Sequence, residues 1–589
     1  MVGLAKRHLR RLMVAIATVG VVSTLGAGSS RAAGDRYMLR LTSPSAATSA
    51  RAALERSGIA VIEEIPELGV VVVRSDTDGG TTRSAIRALG TLIPDRIVRV
   101  SPPEGSKPRA KAPGLLSARR VSASLAAAPR AAIRPDPALS YRGLLWDFER
   151  IGLPAGWARS AGDPTIVVGV ADTGLDFTHV DLKPSIVRVQ DFTVSENPPL
   201  CDPSDQDYAD YYGGPAKTDW NGHGSWIGGN IAGALNGTGI NGIAPKVKLV
   251  ALKIAQNCGY AYDSTILKSF VWAAKNGVDI VSISFGGYLD RTDPKQDADY
   301  GLYVDAVRLA RSKGMLIVAA AGNEHVRLGT GGKVLSHGSL TRPGDPVEDL
   351  FGLYEVPGGV PGVVTVSSTG NRTIPSSAYC PWGTGGSPSN RGDYATCKPR
   401  NDRHQAPGQS LTDQLAYYSN YGPRIDVAAP GGARKFNLPY WDRGGTPGFP
   451  YVGDDLTNAW EEFSTTSNWS AEIDCFIFTK GSGFTPNQCY STIQGTSMAT
   501  PHVSAVLALI ASAQPALRGK PDRLVAALKA GARSARNLTQ VLSATDKSKG
   551  DLTGVACGKG YCHLGGATIS NSDAYGAGIV VAPQPSSGG

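Results

Sequence analysis

The stretch TIVVGVADTGLD, residues 165–176, decides the fold. Its first seven residues are almost all β-branched or small, with no polar alternation. Such a run suits a strand whose two faces are both covered, rather than one facing water. It ends at Asp172, in a turn. Similar short runs recur downstream: KLVALKI (248–254), DIVSISF (279–285), MLIVAAA (315–321), VVTVSS (363–368) and IDVAAP (425–430). Helical stretches such as STILKSFVWAAKNG (264–277) and YVDAVRLARSKG (303–314) separate several of them. Apolar strands alternating with helices predict an α/β domain: a mostly parallel sheet with helices on both faces. Chemistry in such sheets gathers beyond the carboxyl ends of the strands.

Three features sit where that rule points, and a fourth stands apart from it. Asp172 closes the first run, Gly286-Gly287 follows DIVSISF, and Gly322-Asn323 follows MLIVAAA. His223 lies between glycines in NGHGSWIGGNIAG (221–233), at the start of a small-residue helix. A fifth stretch, IQGTSMATPHV (493–503), puts Ser497 before the apolar run VSAVLALI. There a serine is either a nucleophile or an ordinary helix cap. A nucleophile needs a base, a group to orient the base, and donors for the oxyanion. Of the eight histidines, His8 lies in the leader, and His179 falls seven residues after Asp172. His325, His337, His404 and His563 lie in loop-like segments. His502 is five residues from Ser497, a rotation of about 140° around a helix. His223 is the best chemical candidate for the base.

The motifs VVGVADTG, NGHG, AAAGN and GTSMATPHV, in that order, resemble the subtilisin-like serine proteases, or subtilases. The likeness extends through LWDFERIGLPAGW, GIAPKVKLVALKI, SISFGG and SNYGPRIDVAAPG, covering most of 143–581. The resemblance implies Ser497 as nucleophile, His223 as general base and Asp172 as the group that orients it. It implies Asn323 as an oxyanion donor, with Ser284, Phe285 and Gly286 pairing with the substrate backbone. No cofactor is then required for catalysis. Structural calcium stays open at two places: Asp181 with the loop ALNGTGING (234–242), and the acids Asp202, Asp205, Asp207 and Asp210. The segment after Asn323, with EHVRLGTGGKVLSHGSL (324–340), leaves the side-chain specificity pocket unreadable.

Residues before the catalytic region have their own character. A basic start and the apolar LMVAIATVGVV read as a signal peptide over 1–32, with a weaker match to a twin-arginine signal at Arg10-Arg11. Residues 33–103 read as a small α+β unit, with helices at SARAALERSG and TRSAIRALGTL and a closing strand at RIVRVSP. The resemblance makes this a ferredoxin-like propeptide that inhibits its own enzyme. Residues 104–138, rich in Ala, Pro, Arg and Ser, read as a linker with the processing site. Residues 139–581 form the catalytic domain with inserted loops, and 582–589 a flexible tail. The first 138 residues hold 21 basic and 10 acidic residues, a net +11, while the rest hold 38 and 40. The basic balance of the whole chain is therefore local, and nucleic acid is not an expected partner. Beyond the signal, no run of about 18 uninterrupted apolar residues offers a membrane span. Eight cysteines without a CxxC pair suggest disulfides in an oxidising compartment, with 380/397, 475/489 and 557/562 the most economical pairs and 201/258 left over. The expectation is a secreted zymogen, extracellular or periplasmic, acting on protein or peptide substrates. The alternative is a catalytically silent binding module on the same fold.

Overall fold

In the leading unit, alternate residues of one strand serve two different cores. The computed structural model describes residues 36–42, 47–74, 89–100, 145–193, 200, 219–237, 239–339, 349–370, 413–433, 462–466, 477–478, 489–534, 540–541, 555–558, 561–564 and 568–585. The signal region, the 104–138 linker, the four loop acids Asp202 to Asp210 and most of the inserted loops lie outside the described residues. Strands β1 (Arg36–Leu41), β2 (Ala60–Ile65), β3 (Val70–Arg74) and β4 (Gly90–Pro94) form an antiparallel sheet in the order β2-β3-β1-β4. Leu39, Leu41, Val71 and Val73 pack with Ala50 and Leu54 of the helix Ala47–Arg56. Met38, Val70, Val72 and Ile93 point the other way, into a cluster with Phe270, Leu302 and Tyr303 of the following domain. Successive side chains of a strand face opposite sides, so an unbroken VVVV is what two covered faces require.

The end of this unit differs from the sequence expectation. Residues 90–92, the end of the expected second helix, instead belong to β4, which completes the sheet. The expected closing strand, β5 (Ile97–Val100), leaves the sheet and pairs with the following domain. A hydrophobic pattern identifies a strand without naming its partner, and here the partner is almost two hundred positions away.

The domain that follows carries the expected parallel sheet. Its strands are β6 (Val167–Asp172), β7 (Ile186–Asp191), β8 (Lys248–Lys253), β10 (Ile280–Ile283), β12 (Leu316–Ala320), β14 (Val364–Thr369) and β15 (Val427–Pro430). Their order is β15-β14-β12-β10-β6-β8-β7, and every pairing is parallel. Val168 and Val170 of β6 face the helices His223–Ala232 and Thr496–Ala513, while Ala171 faces Asp263–Lys275 and Pro294–Ser312. From β8 the chain jumps across β6 to β10 and then runs steadily to the β15 edge. This reversal is a topological switch point, and it falls at the end of the strand that carries Asp172. The helix Thr496–Ala513 is long and apolar enough to cross a membrane, but 89% of it is buried as the core helix of this domain.

A small sheet, β13-β11-β5-β9, joins the two units, with β9 at Tyr260–Tyr262, β11 at Phe285–Leu289 and β13 at Tyr354–Val356. Here β5 lies antiparallel between β11 and β9, with Val100 opposite Phe285 and Arg99 opposite Gly286. Charge pairs fasten the junction. Arg96 meets Asp263 at 2.9 Å and Asp299 at 3.0 Å, and donates to the Tyr288 carbonyl at 2.8 Å. Asp95 accepts from Arg36 and from both the backbone and the hydroxyl of Ser264. Arg40–Asp305, Lys268–Glu63 and Lys275–Glu67 lie toward the rim. Removing one member of a buried ionic set leaves the others uncompensated. Arg96→Ala is therefore expected to destabilise the unprocessed chain by about 3–5 kcal/mol, read from its denaturant midpoint, and Arg40→Ala by less than about 1 kcal/mol.

Candidate active site

Two turns that approach each other too closely for any side chain build the base of the site. At the end of β6 the chain turns through Thr173 and Gly174; the helix His223–Ala232 begins against that turn. A β-carbon at Gly224 would stand 2.1 Å from the Gly174 carbonyl oxygen and 3.2 Å from the Asp172 β-carbon. Only glycine admits this approach, and the approach sets the neighbouring His223 ring against Asp172. Nδ1–H of His223 donates to Oδ1 of Asp172 at 2.8 Å, with both side chains about 1% exposed. Since the carboxylate can only accept, this bond places the ring proton on Nδ1 and leaves Nε2 with its lone pair. Nε2 has no hydrogen-bond partner among the described residues. The Phe285 ring meets the imidazole edge-on, with centroids 6.5 Å apart.

Asp219, which the sequence reading did not single out, holds this corner together. Its Oδ1 accepts from the Gly222 backbone at 2.9 Å and from the Thr173 hydroxyl at 2.9 Å, and its Oδ2 accepts from the Ser225 backbone at 2.8 Å. The carboxylate thus satisfies N–H groups at the start of the helix and ties them to the Asp172 turn. Burial pushes its carboxyl above the ordinary range, against the opposing N–H donors. The available signal was an acidic residue four positions before the histidine, DWNGH, placed to cap a helix across its glycine turn.

Ser497 is the second residue of the helix Thr496–Ala513, whose N-cap is Gly495, with no side-chain cap. Serine is thus not serving as the cap, the bland reading of its position. Its backbone N–H is one of the four that a helix start leaves without an intrahelical acceptor. Its hydroxyl lies 3.5 Å from the Ser284 carbonyl, and the Ser284 hydroxyl donates to the Ser497 carbonyl at 3.1 Å. Asn323 lies alongside. Its Oδ1 accepts from the Thr496 backbone at 2.9 Å and hydroxyl at 2.8 Å, which commits the carbonyl end of the amide and leaves the NH₂ end as a donor near Gly495. Of the expected substrate-binding residues Ser284, Phe285 and Gly286, the last two pair with Val100 and Arg99 of β5 in the leading unit. A small open cleft beside them is lined by residues 284–288, Ala320, Gly322, Thr496 and Ser497. Glu324 and Glu355 complete the lining, in the region that sequence left unread.

Three of the other histidines among the described residues are engaged elsewhere. His502 reaches Met498 O at 2.8 Å and Asp147 at 2.9 Å, His179 reaches Cys489 O at 2.9 Å, and His325 reaches Ser419 O at 3.1 Å. Asp181 accepts from Asn236, the Ile240 backbone and the Tyr490 hydroxyl, at 2.8, 3.0 and 2.7 Å. Both oxygens of Asp181 are thus engaged by hydrogen-bond donors.

The family model described as "Subtilase family" matches residues 163–556, the stretch that holds this geometry. The chain belongs to the subtilase family. Subtilisin DY of Bacillus licheniformis is 34% identical over 158 residues, covering 27% of this chain and 47% of that protein. The major intracellular serine protease of Bacillus subtilis (strain 168) is 34% identical over 176 residues, covering 30% and 48%. The chain thus spans about half the length of the curated relatives it matches. Among solved structures, an epidermin leader peptide processing serine protease from Staphylococcus aureus covers 93% of this chain and 96% of its own, at 17% identity and a TM-score of 0.55. That likeness concerns the fold alone: the α/β arrangement expected from the strand runs, in the subtilisin-like form that the resemblance implied.

Within this subtilase, Asp219→Ala should free three donors at one buried corner. We expect a loss of about 2 kcal/mol in thermal unfolding, while Asp219→Asn keeps part of the cap and loses less.

Proposed function

We propose that this subtilase is a serine endopeptidase that cleaves proteins through an acyl-enzyme on Ser497. The observation that carries the reading is the buried Asp172–His223 hydrogen bond with Nε2 left free to accept a proton. In this mechanism the Ser497 hydroxyl turns from the Ser284 carbonyl toward Nε2 and attacks the scissile carbonyl. His223 takes the hydroxyl proton and returns it to the leaving amine; Asp172 stabilises the imidazolium between those events. The Ser497 N–H and the Asn323 amide donate to the oxyanion, at a helix end where the backbone dipoles favour negative charge. Water then takes the amine's place and gives a proton to His223 as its oxygen attacks the acyl carbonyl. The proton returns to Ser497 as the acid leaves, so the chemistry calls on no cofactor.

The leading unit is read as the enzyme's own inhibitor. Its strand β5 occupies the edge that a substrate strand would use, and its sheet is docked by apolar and ionic contacts. Cleavage within 104–138 would then release a mature enzyme from a secreted zymogen, in keeping with the N-terminal signal pattern. Disulfides belong to the same reading. No cysteine among the described residues is free, and the register sets Cys557 opposite Cys562.

A fluorophosphonate probe tests the proposal. Labelling of the self-processed chain is expected and should vanish in Ser497→Ala. His223→Ala should lower turnover by roughly 10⁴-fold or more, the scale of triad removal in subtilisin. Labelling that persists without Ser497 would remove the nucleophile assignment, and an unlabelled wild type would favour a silent binding module.

A further inference from the structure

The cleft beside Ser497 contains two buried carboxyl groups that the peptidase mechanism does not use. Glu355, at the centre of β13, is 2% exposed, and its oxygens accept from the backbone of Gly358 at 3.3 Å and from that of Gly359. Glu324 follows the oxyanion candidate Asn323 directly. Its Oε2 accepts from the Tyr288 hydroxyl at 2.5 Å and from the Asn420 amide at 3.1 Å. Both groups line the same cleft as Ser497. Missing side chains keep them there: a β-carbon at Gly286 would stand 2.9 Å from Oε1 of Glu355, and one at Gly322 would stand 2.6 Å from Oε2 of Glu324.

Among the described residues, no basic side chain lines the cleft beside this pair. The nearby Arg424 is committed to the carbonyls of Gly359, Val360 and Val363 and to Asp426. Arg291 lies over the rings of Tyr300 and Tyr354, the residue before Glu355. Two acids in one desolvated space disfavour each other's charge, and an entering cation relieves both. The carboxylates also offer acceptor positions suited to an ammonium or guanidinium group.

We propose that Glu324 and Glu355 make this cleft a selector for a long cationic side chain, lysine or arginine, on the acyl side of the bond that is cut. The proposal rests on the serine-peptidase reading, since the selected side chain is the one adjoining the carbonyl that Ser497 attacks. It makes the two acids specificity residues, in contact with substrate, with Tyr288 and Asn420 holding Glu324 in place.

The pair also predicts a pH signature. Burial pushes the Glu355 carboxyl up to about 8, with Glu324 adding to the rise and the Gly359 N–H and Arg424 opposing it. Burial also raises Glu324, against its hydrogen bonds from Tyr288 and Asn420. A carboxyl raised in this way is neutral below about pH 8 and anionic above it. Selection for a cation should therefore strengthen as pH rises through that value, and kcat/KM reports the free enzyme in which the pKa applies.

The test compares peptides that differ only at this position, lysine against its uncharged near-isostere norleucine, using the full chain after self-processing. We expect lysine to be favoured in kcat/KM by about tenfold or more at pH 9, with a smaller ratio at pH 6.5. In Glu355→Gln the ratio should fall toward one and lose its pH dependence, and Glu324→Gln should reduce it in part. Fluorophosphonate labelling verifies that each variant retains a competent site. Norleucine cleaved as well as lysine by wild type across this pH range would overturn the inference while leaving the peptidase reading intact. A lysine preference undiminished in a labelled Glu355→Gln would overturn it as well. Absence of both hydrolysis and labelling in wild type would overturn the peptidase reading and this inference with it.

Discussion

The hydrogen bond between Asp172 and His223 depends on backbone approach more than on side-chain chemistry. An aspartate at a strand end and a histidine at a helix start meet only because Gly224 lets the helix lie against the 172–174 turn. Around that contact, Thr173 and Asp219 link turn to helix, and Lys253 donates to the Thr173 carbonyl at 2.5 Å. The pair is thereby shielded from water, where a hydrogen bond to a carboxylate is electrostatically stronger. The sheet supplies the rest of the placement. Since β6 lies between β8 and β10 with helices on both faces, its carboxyl end cannot shift without disturbing the core.

A second constraint arises from burial on both sides of the leading sheet. One face is covered by its own helix, while the other packs into a cluster that includes the helices Asp263–Lys275 and Pro294–Ser312. Departure of the leading unit would expose Met38, Val70, Val72 and Ile93 and strip Arg96 from two buried aspartates. This docking also presents β5 to the β11 edge, so the stability of the leading unit and occupancy of that edge are coupled by geometry.

Much of the architecture was legible in the sequence because it followed local periodicity. The runs at 165–171, 248–254, 279–285, 315–321, 363–368 and 425–430 contain the strands of the parallel sheet, with β7 the exception. That strand, IVRVQD, lies at the sheet edge and is half exposed, so it lacks the apolar continuity of the others. His502 was correctly separated from Ser497, because rotation along a helix is a local property; its partner Asp147, 355 residues away, was not readable. Asp219 was missed because its function is to satisfy donors on two separate segments. The fate of β5 was missed for a related reason: four apolar-rich residues specify extended backbone without specifying which edge they join.

The sequence by itself determined the α/β class, the order of the motifs and the residue types available for acid–base chemistry. These depend on side-chain period, turn residues and strand-end positions, all encoded within a dozen residues or fewer. Tertiary structure alone decided the contents of the cleft. Glu324 and Glu355 are 31 positions apart on either side of an inserted segment, and nothing local marks either as facing the other. They share a desolvated space with Ser497 because the end of β12, strand β11 and β13 converge there, and convergence of distant elements is set by packing.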